Sequence, residues 1–494
     1  MIQTSIATTP KTLGELKAAG YEYRPVRDEI RENIIKALRE RRKLFAGIIG
    51  YDETVIPQVI NALLARHDFL LLGLRGQAKT RLLRSLVDFL DPSIPIIADS
   101  PIPEDPLKPI TPTGKRLLRE QGDNLKIFWL EAGDRYHEKL ATPDVTIADV
   151  IGDIDPIKAM NRKLDFSSEE IIHYGIVPRS NRCIFAINEL PDLQPRIQVG
   201  LLNILEEQDF QIRGFPIRMP LDVLMVFTAN PEDYTNRGNI ITPLKDRIEA
   251  QIMTHYPRTL EEGVAIIRQE AWAARNSEMR MSIPDLFYRL VEQTAIEARD
   301  SEYVDRNSGV SARMPIALME TLMSAMEQRA VINGETEAFA RICDLYSALP
   351  AVTGKVELVY KGEQEGPGQV AEHLIGKAVK ERFNEMFVPS HKRGRDARNS
   401  IEGFTEIISW FEQGNKIDVD DSCDLATLKE RLSSVTGLER KAKKAFGNVE
   451  TATLVSAMEF ILEGLSQNFM LSKFKLIRGT RYADELSTMS EDND

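Results

Sequence analysis

The sequence predicts an α/β fold, a parallel doubly wound sheet followed by a region of helices only. Two observations predict it. Short apolar runs at 67–74, 94–100, 182–189, 222–230 and 250–257 alternate with amphipathic stretches. Beyond residue 258 such runs stop and only helical periodicity continues. Parallel strands covered by helices on both faces read as unbroken apolar runs, as these do.

The elements follow in chain order. Residues 1–44 are polar and then helical, with Ile30, Ile34, Leu38 and Leu44 near one face. "YDETVIPQVINALLAR" (51–66) is a second amphipathic helix, and "HDFLLLGL" (67–74) is a buried strand ending in glycine. A helix begins near Thr80. The domain organisation predicted is an N-terminal helical segment (1–44), an α/β core with inserted elements (45–257), a helical lid (258–350) and a mainly helical C-terminal region (351–494). Lid helices are expected at 259–276, 283–298, 312–331 and 335–348. "KGEQEGPGQ" (361–369) reads as a linker. Further helices are expected at 370–387, 399–413, 424–434 and 450–467, before an acidic tail without structure. "EEIIHYGIV" reads as a strand of an inserted element.

Composition narrows the class. The chain has 494 residues, with 63 basic against 75 acidic, a net charge of −12. That balance disfavours general nucleic-acid binding, although "HKRGRDARN" (391–399) is locally basic. The three cysteines, Cys183, Cys343 and Cys423, are far apart and lack metal-ligand spacing, which fits a reducing cytoplasm. No stretch of 18 apolar residues is present, so no membrane partner is expected.

"LLLGLRGQAKTRLL" carries the main chemistry. Where a strand turns into a helix, glycines let the backbone curl so that its N–H groups face phosphates. Gly73, Leu74, Arg75, Gly76, Gln77, Ala78, Lys79 and Thr80 are the expected nucleotide cradle. Lys79 would reach the β and γ phosphates and Thr80 would place its hydroxyl on Mg²⁺. Ala78 stands where G-x-x-x-x-G-K-[ST] has its last glycine. Alanine is acceptable there if it keeps an ordinary helical φ.

"CIFAINEL" (183–190) ends an apolar strand in Asn188-Glu189. Glu189 is placed to polarise an attacking water, and Asn188 to hold a Mg²⁺-bound water. An asparagine lacks the charge that attracts a hard cation, so metal binding should weaken. Asn230 ends the next strand, where a polar side chain would orient that water. Arg247, in "PLKDRI", and the competing Arg237 are candidates to project into a neighbouring subunit's site. Taken alone, such an arginine is better read as a surface ion pair. Arg313 starts a helix of the lid, from which it would report nucleotide state.

Together these residues resemble an AAA+ ATPase, and more closely the clade of the magnesium chelatase ATPase subunit and the MoxR ATPases. The similarity spans about 45–350 and includes "KLATPDVTIADVIGDIDPIKAM" (139–160) and "GLLNILEEQDFQIRGFPIRMPLDVLMVFTANPEDY" (200–234), the latter with a hairpin turning at Gly214. The resemblance implies a P-loop AAA+ core with a helical lid, ATP and Mg²⁺ as ligands, and a homo-oligomeric ring, usually a hexamer. It implies Gly73–Thr80 as Walker A, Asn188-Glu189 as Walker B, Asn230 as sensor 1, Arg247 as arginine finger and Arg313 as sensor 2. Gly50 and Tyr51 match the segment that cups adenine. The function expected is an ATP-driven remodeller of a protein client or partner subunit. The alternative is a nucleotide-regulated scaffold whose turnover Asn188 suppresses. Residues 351–494 lack the Asp-x-Ser-x-Ser signature of the chelatase's partner subunit.

Overall fold

Strand order in the computed structural model follows from which apolar runs are buried on both faces. It describes residues 9–154, 171–212, 218–231, 238–275, 279–388 and 403–484. Arg237, Gly214, the basic cluster 391–399 and the acidic tail lie outside them. Two compact units divide the chain, 1–255 and 256–494.

In the first unit the strands are β1 (Phe69–Leu72), β2 (Ser93–Ile97), β3 (Ile127–Glu131), β4 (Tyr136–Leu140), β5 (Gly152–Ile154), β6 (Ile172–Tyr174), β7 (Cys183–Asn188), β8 (Asp209–Gln211), β9 (Arg218–Pro220), β10 (Val223–Ala229) and β11 (Ala250–Met253). Five of them form a sheet in the order β11-β1-β10-β7-β4, with every neighbouring pair parallel. Period-two alternation sorts the side chains onto two faces. Phe69, Leu71, Ile184, Ala186, Leu224 and Val226 pack with the helices Val26–Arg39, Val55–Leu64 and Lys79–Arg84. Leu70, Leu72, Phe185, Ile187, Met225 and Phe227 pack on the opposite face with Pro195–Glu206 and Thr242–Arg247.

One expected core strand is elsewhere. Residues 94–100 supply β2, which leaves the sheet and pairs antiparallel with β3. Its place is taken by β4, "YHEKL", where the sequence predicts no strand. β4 is an edge strand with half-buried side chains, so it lacks the apolar run that marks its neighbours. The inserted strand at 172–174 is present as β6, paired with β5. The expected hairpin is present as β8 and β9.

The N-terminal helix Val26–Arg39 is tied to this sheet by buried charge pairs. Arg135, just before β4, donates to both carboxylate oxygens of Glu29 at 2.6 and 2.7 Å. Arg27 donates to both oxygens of Asp68 at 2.8 Å, beside the start of β1. Buried pairs of this kind fix geometry because losing one partner strands the other charge.

The second unit is mainly helical, with long helices at Leu260–Glu270, Asp285–Asp300, Arg313–Asn333, Pro367–Phe387 and Thr451–Gln467 around one continuous core. Residues 361–369 are not a linker. They hold the end of the helix Tyr360–Glu365 and the start of Pro367–Phe387. The expected helix 335–348 is instead a strand, Glu337–Phe339, followed by the helix Ile342–Ser347. Sequence reading also missed the helix Leu438–Phe446 and a three-stranded antiparallel sheet of Ile417–Val419, Ser472–Leu476 and Gly479–Ala483. No described helix is long and apolar enough to cross a membrane.

Candidate nucleotide site

The site is built at the carboxyl ends of β1, β7, β10 and β11. In open α/β sheets ligands bind there, where strand order reverses, and β1 lies between β10 and β11 at such a point. The chain leaving β1 is clamped on both sides. The Gly73 N–H donates to the Ala229 carbonyl at 3.2 Å, and the Thr254 N–H to the Leu72 carbonyl at 2.8 Å. Thr254 Oγ1 then donates to Gln77 Oε1 at 2.6 Å, which fastens the loop to β11's end. A Cβ on Gly73 would sit 2.0 Å from Thr254 Oγ1 and 2.2 Å from Gln77 Oε1, so glycine is required by this close approach. Gly76 has φ +74, the left-handed conformation that glycine adopts freely.

Ala78 departs from expectation. It has φ 54 and ψ 17, so it keeps the left-handed backbone of the glycine it replaces rather than an ordinary helical φ. The alanine Cβ is strained there by roughly 1–2 kcal/mol. The loop's shape is imposed by its anchors and by the helix that starts at Lys79.

Lys79 is buried, and its ammonium donates to the carbonyls of Gly73 and Leu74, the latter at 2.9 Å, and to Asn230 Oδ1 at 2.6 Å. Asn230 Nδ2 in turn donates to Glu189 Oε2 at 2.6 Å. A lysine only donates and a carboxylate only accepts, so this relay sets which way the Asn230 amide faces. Three residues far apart in sequence thus meet at the ends of three strands. Glu189 has φ 57, and its N–H donates to Thr228 Oγ1 at 3.1 Å. The same hydroxyl donates to Asn188 Oδ1 at 3.3 Å. Thr228 was missed in the sequence. Its signal was a hydroxyl inside the otherwise apolar run "VLMVFTA".

Tyr51 is buried, with its hydroxyl 2.8 Å from the Gln77 carbonyl and 2.9 Å from the His255 carbonyl. It follows Gly50, bears on the backbone of the Gly73–Thr80 loop, and its ring packs edge-on against His255. Arg75 is exposed at the loop's tip, and Thr80 is half-buried in the first turn of the helix. Arg247 pairs with Glu206 of the same chain at 2.6 Å on the surface and also donates to the Pro243 carbonyl. Arg313 starts the helix Arg313–Asn333 of the second unit, its N–H donating to Ser311 Oγ.

The residues present fit a nucleotide better than a free metal ion. Backbone N–H groups, a buried lysine and a glycine-lined turn suit phosphates. Among the described residues no group of three or more His, Cys, Asp or Glu is placed to hold a metal. Thr80 and Asn188 supply neutral oxygens, which suits a divalent ion carried on phosphates with its own waters.

No protein-family model matches the chain, and no curated protein matches it. Solved structures similar to it include NtrX from Brucella abortus, at 14% identity and TM-score 0.33, covering 59% of this chain and 54% of that one. The chain therefore spans about half the length of that protein. A complex of the magnesium chelatase subunits BchI and BchD aligns at 18% identity and TM-score 0.33, covering 65% and 98%. The Holliday junction branch migration motor RuvB from Thermotoga maritima aligns at 14% and 0.35, covering 92% and 98%. Scores of this size carry no argument about activity. The strand order, the clamped loop and the residues at the strand ends give the first unit a parallel α/β sheet with a glycine-containing strand-to-helix loop at its carboxyl edge.

Proposed function

We propose that this chain is an AAA+ ATPase of the magnesium chelatase/MoxR kind, which binds ATP with Mg²⁺ and uses hydrolysis to remodel or activate a partner protein. The observation that carries the reading is the relay Lys79–Asn230–Glu189 across the ends of β1, β10 and β7. It puts a phosphate-binding cation and a carboxylate base on one bridging amide. A phosphate oxygen reaching Lys79 would compete with Asn230 Oδ1 for the ammonium. The amide would then be free to orient a water, and Glu189 to accept its proton. Mg²⁺, bound through the phosphates beside Thr80 and Asn188, would neutralise developing charge. Arg247 would act in trans in a ring, hexameric in this kind of protein, on leaving Glu206, and Arg313 would serve as the lid's sensor. Gly50 and Tyr51 would flank the base.

Asn188 supports the second reading, a nucleotide-regulated scaffold, because a neutral side chain stands where a carboxylate would attract the metal. Phosphate release with Mg-ATP separates the two. The motor predicts steady release that Lys79→Ala and Glu189→Gln each abolish. A wild type that binds ATP without release, restored by Asn188→Asp, would leave the scaffold. No ATP binding by any variant would sink both.

A further inference from the structure

The second unit holds a cavity of about 520 Å³ that the nucleotide reading leaves unused. Its walls come from the helices Ile342–Ser347 and Thr451–Gln467 and from the hairpin of Ser472–Leu476 and Gly479–Ala483. This volume lies within the range of small-ligand sites. Ile342, Leu349, Val419 and Leu476 provide apolar wall.

The polar groups are not evenly spent. Glu463 is fully buried and saturated, accepting from Tyr346 Oη and Tyr482 Oη at 2.7 Å and from Gln467 Nε2 and Lys473 Nζ at 2.9 Å. Burial alone would push its carboxyl up, but Lys473 and these donors outweigh that and hold it below the usual range. Lys475 is spent on Glu372 at 3.3 Å. Glu459, one helical turn from Glu463, is 3% exposed and borders the cavity. Its Oε1 accepts from Arg341 Nη2 at 2.7 Å and Nε at 3.1 Å. Its Oε2 is buried and has no hydrogen-bond partner among the described residues. A buried carboxylate oxygen left without a donor is costly, because it has given up water for nothing in return. Asp421, exposed at the mouth, adds a further negative charge.

We propose that this cavity binds a small organic cation, an alkylammonium or alkylguanidinium whose N–H groups reach Glu459 Oε2 while its stem lies on the apolar wall. Complementary charge and a waiting acceptor favour a cation over an anion, and the wall favours an organic ion over a bare metal. The site is independent of the nucleotide chemistry.

Calorimetric titration of the full chain with agmatine and 1,5-diaminopentane tests it, with glutarate as the anionic control. Binding of an amine but not of glutarate is expected, weakened at least tenfold in Glu459→Gln. That variant also disturbs the buried pair with Arg341, so Ser347→Trp, an exposed lining position, is the second test and should weaken binding with folding intact. Lys79→Ala should bind the amine like wild type whatever its effect on ATP. No amine binding by wild type, equal binding of glutarate, or unchanged binding in folded Glu459→Gln and Ser347→Trp would each overturn the assignment.

Discussion

Two residues of the candidate nucleotide site invite direct tests. Ala78 is held left-handed at φ 54. Replacing it with glycine relieves Cβ strain of roughly 1–2 kcal/mol, offset by about 0.5–1 kcal/mol of added chain freedom in the unfolded state. Ala78→Gly should therefore stabilise the first unit slightly, by about 0.5–1 kcal/mol, with ATP affinity retained. Urea unfolding of the two proteins reads this, and a loss of stability would contradict the strain. Asn230 bridges a cation and a carboxylate. Asn230→Asp still accepts from Lys79 but sets a second negative charge against Glu189. Like charge raises a carboxyl pKa, and a general base works only when deprotonated. The acidic limb of the pH–rate profile for phosphate release should move to higher pH, whereas Asn230→Ala should lower the rate about a hundredfold without that displacement.

At the scale of elements, β11 and the N-terminal helix act on the site through β1. Thr254 fastens the loop by its bond to Gln77 Oε1. Thr254→Val keeps shape but strands a buried acceptor, at about 1–3 kcal/mol. Both thermal stability and ATP affinity should fall together, and a normal ATP Kd with lowered Tm would show that the tether does not shape the cradle. Asp68 precedes β1 and is fully buried. Burial pushes its carboxyl up to about 7, with the nearby Glu249 also raising it, while Arg27 pulls the other way. A carboxyl raised on folding stabilises when protonated, and that contribution is lost as pH climbs from about 4 through about 7. Wild type should lose stability relative to Asp68→Asn over that window, by on the order of a few kcal/mol. Parallel denaturation curves at each pH give the slope, which is the readout, because Asp68→Asn also leaves Arg27 without its charged partner.

On the scale of the whole molecule, each unit carries its own core. The first has apolar clusters on both faces of its sheet, and the second has a continuous helical one. Binding stabilises the folded state of the unit that binds. Calorimetry should resolve two transitions, of which Mg-ATP raises one by several degrees. Agmatine should raise the other. Lys79→Ala should cancel the first rise and leave the second. A single transition moved equally by both ligands would mean that the cores do not unfold separately.

Much of where the candidate site's residues lie in the fold was legible in the chain because the determinants of that placement are local. Apolar runs buried on both faces located β1, β7 and β10, the apolar positions of 250–257 located the edge strand β11, and strand-to-helix turn chemistry located Gly73–Thr80. Residues ending those strands, Glu189 and Asn230, followed from position alone. What needed the tertiary structure was everything set by pairing partners. β4 entered the sheet as a half-polar edge strand that its own pattern does not announce, while the more apolar β2 was drawn off to β3. Ala78 took a left-handed backbone against its preference, because clamps to Ala229, Thr254 and Tyr51 shape the loop more strongly than one Cβ opposes it. The Asn230 bridge, the Thr228 hydroxyl and the orphaned Glu459 oxygen depend on contacts across long stretches of chain, and a linear pattern carries no distance between them.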